Sequence, residues 1–191
     1  QAGNADLFAG GNGTTATMNG GNGINYFYVD GDDIVHGAGQ VNKLFVLNSS
    51  ATVTVGANLS GLQEIYLTGG TNTIDLTNQS GYVYVFGATG IDTFIAGTGG
   101  NQTFTGGGSA NVFKFANGWG ADAIADWATG VGNRIDLTSL AAQGVHSIAD
   151  LQIATGGGNT TITHIGHGNG GDILTLTGYT GGLVAGNFVF A

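Results

Sequence analysis

Few residues in this sequence have side chains suited to catalysis or metal binding. The 191 residues include four histidines, twelve acidic residues and no cysteine. His164 and His167 are three positions apart in THIGH, a spacing that suits a metal on a helix, but this stretch predicts a strand leading into glycine-rich sequence. We therefore interpret them as a solvated pair. Glu64 is the only glutamate, and neither HExxH nor GxSxG occurs, so no catalytic residue is predicted.

Composition excludes several kinds of site and partner. Without cysteine there are no disulfides, thiolate zinc sites or cysteine nucleophiles. The formal net charge is −9, and the only cations are Lys43, Lys114 and Arg134, so no phosphate-binding surface and no nucleic-acid partner are expected. No apolar stretch approaches about 18 residues, so no transmembrane segment is predicted. Gln1 begins inside a repeat, and we expect the precursor to extend upstream.

The remaining candidates are aspartates that follow glycine-rich turns, and these turns define the elements that position them. Between residues 3 and 39 a glycine-rich turn recurs every nine or ten residues, followed each time by one or two apolar positions. Glycine permits tight turns with positive φ, and the short strands between them are predicted to bury alternate side chains. These side chains include Leu7, Met18, Phe27 and Val35.

Longer alternating segments follow between residues 41 and 86, and their Thr, Val, Ile and Tyr content predicts further strands. These segments are VNKLFVL, ATVTV, LQEIYLT, NTIDLT and YVYVF. Residues 87–117 return to the nine-residue spacing. Because each unit is too short to form a core alone, the units must stack. The predicted fold class is all-β, a parallel β-roll or β-helix, which is a solenoid.

The last segment predicts a less regular, β-rich C-terminal cap. It contains the only plausible helical turns, around TSLAAQG and HSIADLQ, followed by the strands NTTITHI, DILTLTG and NFVFA. A solenoid end must cover its core and its unpaired strand edge. We therefore predict a solenoid over residues 1–117 and a closing and capping region over residues 118–191, together in one continuous domain.

Several of these segments carry a specific resemblance. GDDIVHGAG (31–39) and GIDTFIAGTG (90–99) match much of the nine-residue pattern Gly-Gly-x-Gly-x-Asp-x-apolar-x, which resembles the repeat-in-toxin (RTX) proteins. GWGADAIADWATGVGNRIDLT (118–138) is similar to the sequence that closes the roll in serralysin-like proteases and other type I secreted proteins, except that Asn133 replaces an expected Asp. NFVFA resembles an uncleaved export signal at the carboxyl terminus. The resemblance covers about half of the chain strongly.

The resemblance implies Ca²⁺ held between stacked turns, with few sites. Calcium takes six to eight hard oxygen ligands, from carboxylates, carbonyls and water. The acidic residues at the matching positions are the predicted metal ligands: Asp6, Asp33, Asp92, Asp122 and Asp126. Amides replace the repeat Asp at other positions: Asn25, Gln102 and Asn111. Because stacked Asn and Gln side chains can hydrogen-bond to one another, we predict a partly metal-free roll in which amide ladders replace calcium rows.

Each of these aspartates also fits a plain structural role, because Asp is favoured in turns. Asp126 and Asp136 are equally well interpreted as residues that cap local turns and pair with Arg134. Sequence leaves both interpretations open.

The preferred functional expectation is a non-catalytic, secreted structural protein of the bacterial surface, such as part of an S-layer, a matrix filament or an adhesin, with residual calcium binding. Expected partners are further copies of the chain, other cell-surface or matrix components and the type I secretion machinery. The resemblance also supports an alternative, the secretion and folding module of a larger secreted enzyme such as a protease or lipase. The expected location is extracellular, without a cleaved N-terminal signal.

A third possibility is a carbohydrate-binding or ice-binding solenoid. Five tyrosines occur at spacings that allow a shared exposed face: Tyr26, Tyr28, Tyr66, Tyr82 and Tyr84. The same two-residue spacing equally places them in the core, so sequence leaves their orientation open.

Overall fold

The computed structural model describes residues 6–9, 15–30, 33–38, 41–47, 52–55, 59–128, 131–164 and 172–191, and for residues 6–9 and 59 it describes the backbone alone. Across these ranges the chain winds as a parallel β-solenoid, which confirms the predicted fold class. Two predictions, burial of Leu7 and metal binding by Asp6, concern side chains outside the described set, and His167 also lies outside it. Within the described ranges, no helix has the length and apolar character needed to cross a membrane.

The strands follow the predicted order along the chain. In the first half they are β1 (Asp6–Ala9), β2 (Thr17–Asn19), β3 (Ile24–Val29), β4 (Ile34–His36), β5 (Val41–Val46), β6 (Thr52–Thr54), β7 (Leu59–Ser60), β8 (Glu64–Tyr66), β9 (Thr73–Asp75) and β10 (Tyr82–Phe86). In the second half they are β11 (Thr93–Ile95), β12 (Asn101–Thr105), β13 (Val112–Lys114), β14 (Ala121–Ile124), β15 (Arg134–Asp136), β16 (Leu151–Gly156), β17 (Asn159–His164), β18 (Ile173–Leu176) and β19 (Phe188–Val189).

Over the described residues these strands form three sheets. Sheet 1 has the order β1-β3-β5-β8-β10-β12-β14-β18-β17-β16, sheet 2 the order β19-β15-β13-β11-β9-β6, and sheet 3 the order β2-β4-β7. Most coils contribute one strand to sheet 1 and one to the opposite face. The coil that starts with β5 carries two further strands, β6 and β7. Strand β7 is the last strand of sheet 3, which covers the earlier coils, and β6 is the first strand of sheet 2, which covers the later ones.

The core follows from alternation along each strand combined with parallel register. Successive side chains point to opposite faces, so paired inward positions stack into continuous apolar columns. In sheet 1 the column is Phe27, Leu44, Ile65, Val85, Phe104, Ile124 and Leu176. In sheet 2 it is Val53, Ile74, Phe94, Phe113, Ile135 and Phe188. The predicted burial of Met18, Phe27 and Val35 is confirmed.

Glycine is required where the backbones of two coils touch. Gly90 has φ +135°, and a Cβ at this position would lie 1.7 Å from the carbonyl oxygen of Gly70 in the preceding coil. No side chain fits there without moving one coil away from the next.

The C-terminal part confirms the predicted helical turns and strands. Short 3-10 helices cover Thr138–Gln143 and Ile148–Asp150, and β16 and β17 form an antiparallel hairpin. Strand β18 then pairs in parallel with β14, and β19 pairs in parallel with β15. The last residues therefore complete a final coil on β14 and β15, and the hairpin continues sheet 1 beyond β18, with β16 as its last strand.

Candidate functional site in the buried polar columns

Two columns of polar side chains run through the solenoid interior beside the apolar columns. The sheet-2 column consists of four buried residues, each directly before a sheet-2 strand: Asn72, Asp92, Asn111 and Asn133. The sheet-1 column occupies inward positions next to or within sheet-1 strands: Asn25, Asn42, Gln63, Gln102 and Asp122. Parallel register stacks these positions because they recur at the same place in successive coils.

The sheet-2 column is a continuous hydrogen-bonded ladder. The backbone N–H of Asn72 donates to Oδ1 of Asp92 (2.9 Å), that of Asp92 to Oδ1 of Asn111 (2.8 Å), and that of Asn111 to Oδ1 of Asn133 (2.9 Å). Each side-chain oxygen thus holds the backbone of the preceding coil. A carboxylate and an amide oxygen perform this role equally, because both accept hydrogen bonds.

Two amide nitrogens of this ladder, those of Asn72 and Asn111, donate hydrogen bonds to turn carbonyl groups. Nδ2 of Asn111 donates to the carbonyl oxygens of Gly106 (2.8 Å) and Ser109 (3.0 Å), and Nδ2 of Asn72 donates to that of Thr68 (2.9 Å). A carboxylate cannot donate these bonds. Asn111 therefore secures both the neighbouring coil and its own turn, whereas Asp92 secures the neighbouring coil alone, and the buried Nδ2 of Asn133 has no hydrogen-bond partner among the described residues.

The sheet-1 column is less regular. Nδ2 of Asn25 donates to Oδ1 of Asn42 (2.6 Å), and the backbone N–H of Asn42 donates to Oε1 of Gln63. Val83 occupies the next position and interrupts the column, which resumes where the backbone N–H of Gln102 donates to Oδ1 of Asp122 (2.8 Å). The predicted bonding between stacked amide side chains occurs at the first of these contacts. Most other contacts run from backbone to side chain.

The described metal-ligand candidates each accept backbone hydrogen bonds. Oδ1 of Asp33 accepts from Ala16 N–H (2.9 Å), and the two carboxylate oxygens of Asp126 accept from Gly106 and Gly107 N–H (both 2.8 Å). Asp92 and Asp122 lie in different columns. Over the part of the chain that the structure describes, no three His, Asp or Glu side chains come together as a metal-binding group.

The donor set gives a limited fit to calcium. Asp92 and Asp122 each keep one buried carboxylate oxygen, Oδ2, that has no hydrogen-bond partner, and such an oxygen suits a hard cation. The neighbours of Asp92 in its column are amides, Asn72 and Asn111, which contribute no charge. What fits is a site with a single carboxylate, completed by amide and carbonyl oxygens. Because calcium affinity increases with the number of charged ligands, a site with one carboxylate would be weak.

Asp136 acts as a turn cap, as one interpretation of the sequence proposed. Its Oδ1 accepts from the backbone N–H (3.0 Å) and hydroxyl (2.7 Å) of Thr138. Its ion-pair partner, however, is Lys114, with Nζ 3.2 Å from Oδ2, which corrects the predicted pairing with Arg134. Parallel pairing of β13 with β15 sets Lys114 directly opposite Asp136.

Sequence reasoning missed an acidic group where the final coil joins the solenoid. Asp172 accepts hydrogen bonds from the backbone N–H groups of Gly118 (2.8 Å) and Gly120 (2.9 Å). Nε2 of His164 lies 3.6 Å from its Oδ2. The sequence signal was GGDILTL, which has the same order of glycine, aspartate and apolar residue as the matched repeats.

His164 itself is buried beside Trp119, with ring centroids 5.6 Å apart, so the interpretation of a solvated histidine is wrong for this residue. Strand alternation accounts for the difference, because β17 turns its ring inward.

Asp122 carries the largest electrostatic perturbation in this region. The pKa of its carboxyl group is raised to about 7, mainly by burial and also by the nearby Asp172, against the lowering effect of the hydrogen bond from Gln102 N–H. A buried carboxyl group with a pKa near neutrality changes its charge when the surroundings acidify mildly.

The five tyrosines left open by the sequence lie on the outer face of sheet 1. Four are half-buried, and Tyr82 is 49% exposed. Among them, the hydroxyl of Tyr66 donates to Glu64, which also pairs with Lys43 (2.8 Å). These side chains are outside the core, because their strands turn Val, Leu, Ile and Phe inward.

A scan of the chain against protein-family models found no match, and a search of the curated proteins found none either.

Proposed function

We propose that the protein is a non-catalytic structural solenoid of the bacterial surface, secreted and related to the RTX proteins. The observation that carries this proposal is the sheet-2 ladder, in which Asn72, Asp92, Asn111 and Asn133 are joined through backbone N–H groups. The buried polar side chains hold the scaffold together. Side chains that a catalytic or ion-rich site would direct at a ligand are here directed at the neighbouring coil.

A stiff, repetitive coil suits a role in an S-layer, a matrix filament or an adhesin. Each coil contacts its neighbours, so length is gained without a larger core, and the outer faces remain for contacts with other molecules. The RTX-like segments at 31–39, 90–99 and 118–138 support the same proposal.

The proposal includes residual calcium binding and predicts that the fold does not require it. Calcium titration followed by calorimetry, with far-UV circular dichroism before and after chelation, tests both parts. We expect weak heats of binding, and we expect the β signal to persist in chelator with a midpoint of unfolding that is lower by a few degrees, as for loss of a weakly bound ligand. Collapse of the β signal in chelator would contradict a scaffold held by its own ladder. Complete absence of binding heats would remove calcium from the proposal.

The proposed route of export is a one-step type I system that reads the C-terminal region. Deleting the last 50 residues would also remove buried core residues such as Leu174, Leu176 and Phe188. Retention of that variant in the cell would then be explained either by loss of the export signal or by misfolding. A passenger protein fused in front of the whole chain avoids this problem. Secretion of the fusion that depends on a co-expressed type I transporter is the expected result, and retention in its presence would contradict the route.

A further inference from the structure

The outer face of sheet 1 is divided into two halves by side-chain size. On β3, β5, β8 and β10 the outward positions hold mainly aromatic residues, whereas on the next four strands of the sheet, β12, β14, β18 and β17, they hold threonine, asparagine and alanine, with one isoleucine, Ile173. Register places Tyr84 next to Thr103 and Thr103 next to Ala123. The larger side chains make the half formed by β3, β5, β8 and β10 stand higher than the rest of the same sheet. We call it the raised half, and the half that begins at β12 the low half.

The raised half is built on an aromatic row, Tyr28, Phe45, Tyr66 and Phe86. Successive ring centroids are 4.8 Å apart, with interplanar angles between 8° and 12°. Because the rings stack face to face, they cover one another's faces, and ring edges and hydroxyl groups point outward. Ile24 and Tyr82, exposed at 39% and 49%, extend the apolar surface beside the row.

This face is also electrically neutral in an acidic protein. Among the outward side chains described on the strands of sheet 1, Lys43 and Glu64 are the charged ones, and they pair at 2.8 Å. The whole chain has a net charge of −9. Two copies approaching through this face bring together paired charges and uncharged side chains, so repulsion between the copies is small here.

We propose that this face binds the same face of a second copy, the raised half of each copy covering the low half of the other. A twofold axis parallel to the strands, between β10 and β12, produces this arrangement, because it reverses the order of the coils. Tyr84 of one copy then faces Thr103 of the other, across two sheets packed about 10 Å apart. The inference rests on the structural role proposed above and adds the contact face to it.

The ring geometry favours this partner over a polysaccharide. Sugars bind aromatic side chains chiefly by stacking on exposed ring faces, and the inner faces of the aromatic row are already covered. Ring edges carry partial positive charge and pack well against hydroxyl and methyl groups such as those of threonine and alanine.

Sedimentation equilibrium on the whole chain tests the proposal, with Thr103→Arg as the disruptive variant. Thr93 offers a matched control, because it is a half-buried, outward threonine on the strand that precedes β12 in the chain. This strand, β11, belongs to sheet 2 on the other side of the solenoid, and Thr93→Arg changes the net charge identically. We expect a concentration-dependent dimer whose dissociation constant rises at least ~10-fold in Thr103→Arg, since the charge is buried without a partner, and stays unchanged in Thr93→Arg.

Two single-cysteine variants test the orientation, because the chain has no cysteine of its own. With a short thiol-reactive cross-linker, a mixture of Tyr26→Cys and Thr161→Cys proteins should give cross-linked dimers, because the register along sheet 1 places Tyr26 of one copy opposite Thr161 of the other. Thr161→Cys alone should give few, because the two copies of this residue lie about seven strand spacings of ~4.8 Å apart. Efficient cross-linking of Thr161→Cys to itself would overturn the arrangement, since it requires each coil to face the same coil.

Other outcomes separate this inference from the structural role. If the wild-type chain assembles and both arginine variants assemble equally, the face is wrong and the structural role stands. If the wild-type chain stays monomeric but binds insoluble cellulose or chitin, and Thr103→Arg abolishes that binding, the face is a carbohydrate site and the inference fails. If the wild-type chain neither associates nor binds these polymers at any concentration, both proposals fail.

Discussion

Single side chains in the sheet-2 column connect one coil to the next. The side chain of Asn111 makes three such bonds, because its oxygen accepts from Asp92 N–H while its nitrogen donates to the carbonyl groups of Gly106 and Ser109. All these groups are buried or nearly so. A buried polar group that loses its partner costs about 1–3 kcal/mol, so stability depends strongly on this one amide.

Replacing Asn111 by Ala should therefore lower the free energy of unfolding by about 3 kcal/mol, since the Asp92 N–H and the Gly106 carbonyl both lose a partner. Urea unfolding in chelator measures this change. Asn101→Ala serves as the control, because Asn101 is exposed in β12, and it should change stability by less than about 0.5 kcal/mol. Equal effects of the two substitutions would contradict the ladder.

Asp122 should make stability increase on mild acidification. Its folded-state pKa is about 7, well above the value of an unfolded aspartate, so the folded protein binds the proton more tightly between about pH 4 and pH 7. The stabilisation is complete at the low end of that window and is lost as the pH rises through 7.

The free energy of unfolding should therefore rise between pH 7 and pH 5, by at most about 1.4 kcal/mol per pH unit. Asp122→Asn keeps the acceptor for Gln102 N–H and should flatten this dependence. Denaturant unfolding at the two pH values provides the measurement. An unchanged pH dependence in Asp122→Asn would assign the effect to another group.

Among the elements, the turns between strands decide how closely two coils approach. Gly90 packs its backbone against Gly70 and has positive φ, whereas a Cβ added to Gly108, also in a glycine-rich turn, would have no atom of another residue within 4 Å apart from its chain neighbours. The two glycines therefore differ in their tolerance of a methyl group.

We expect Gly90→Ala to lower the midpoint of thermal unfolding by many degrees, because the coils must separate, and the backbone conformation is unfavourable for alanine. Gly108→Ala should leave the midpoint nearly unchanged. Differential scanning calorimetry distinguishes the two. A tolerated Gly90→Ala would mean that the coils pack less closely than described.

The molecule as a whole is a stack of coils, and the core and strand edges of the last coil of the roll must be covered. Strands β18 and β19 lie on β14 and β15, and they contribute Leu174, Leu176 and Phe188 to the core. Without them, Ile124 and Ile135 and the edges of both sheets would face solvent.

Removal of residues 172–191 should consequently cause aggregation, because an open parallel edge above an apolar core pairs with other chains. The soluble fraction after centrifugation reports this directly. The substitution Phe188→Ala removes one buried side chain and keeps the edge covered, so it should lower stability by about 3 kcal/mol without aggregation. A soluble truncated chain would show that the last coil is not the cap.

The sequence determined the winding of this protein. Glycines at short, nearly regular spacing and alternating apolar residues already predict the strands, the inward positions of Met18, Phe27 and Val35, and the helical turns after residue 137. These features are local, because turn chemistry and two-residue alternation operate within a few residues. The division at residue 118, calcium binding and the location of the protein stay predictions.

Tertiary structure decided which side chains face the core and which polar groups of neighbouring coils bond to each other. A two-residue period alone does not say which of two faces is the core, so the outward position of Tyr66 and the burial of His164 emerge only when the strands pair. Likewise, Asn111 and Asp92 become parts of one ladder, and Asp172 meets Gly118 and Gly120, through contacts between residues about twenty to fifty positions apart. The local pattern sets each coil, and the register between coils, a long-range property, sets the function of its polar side chains.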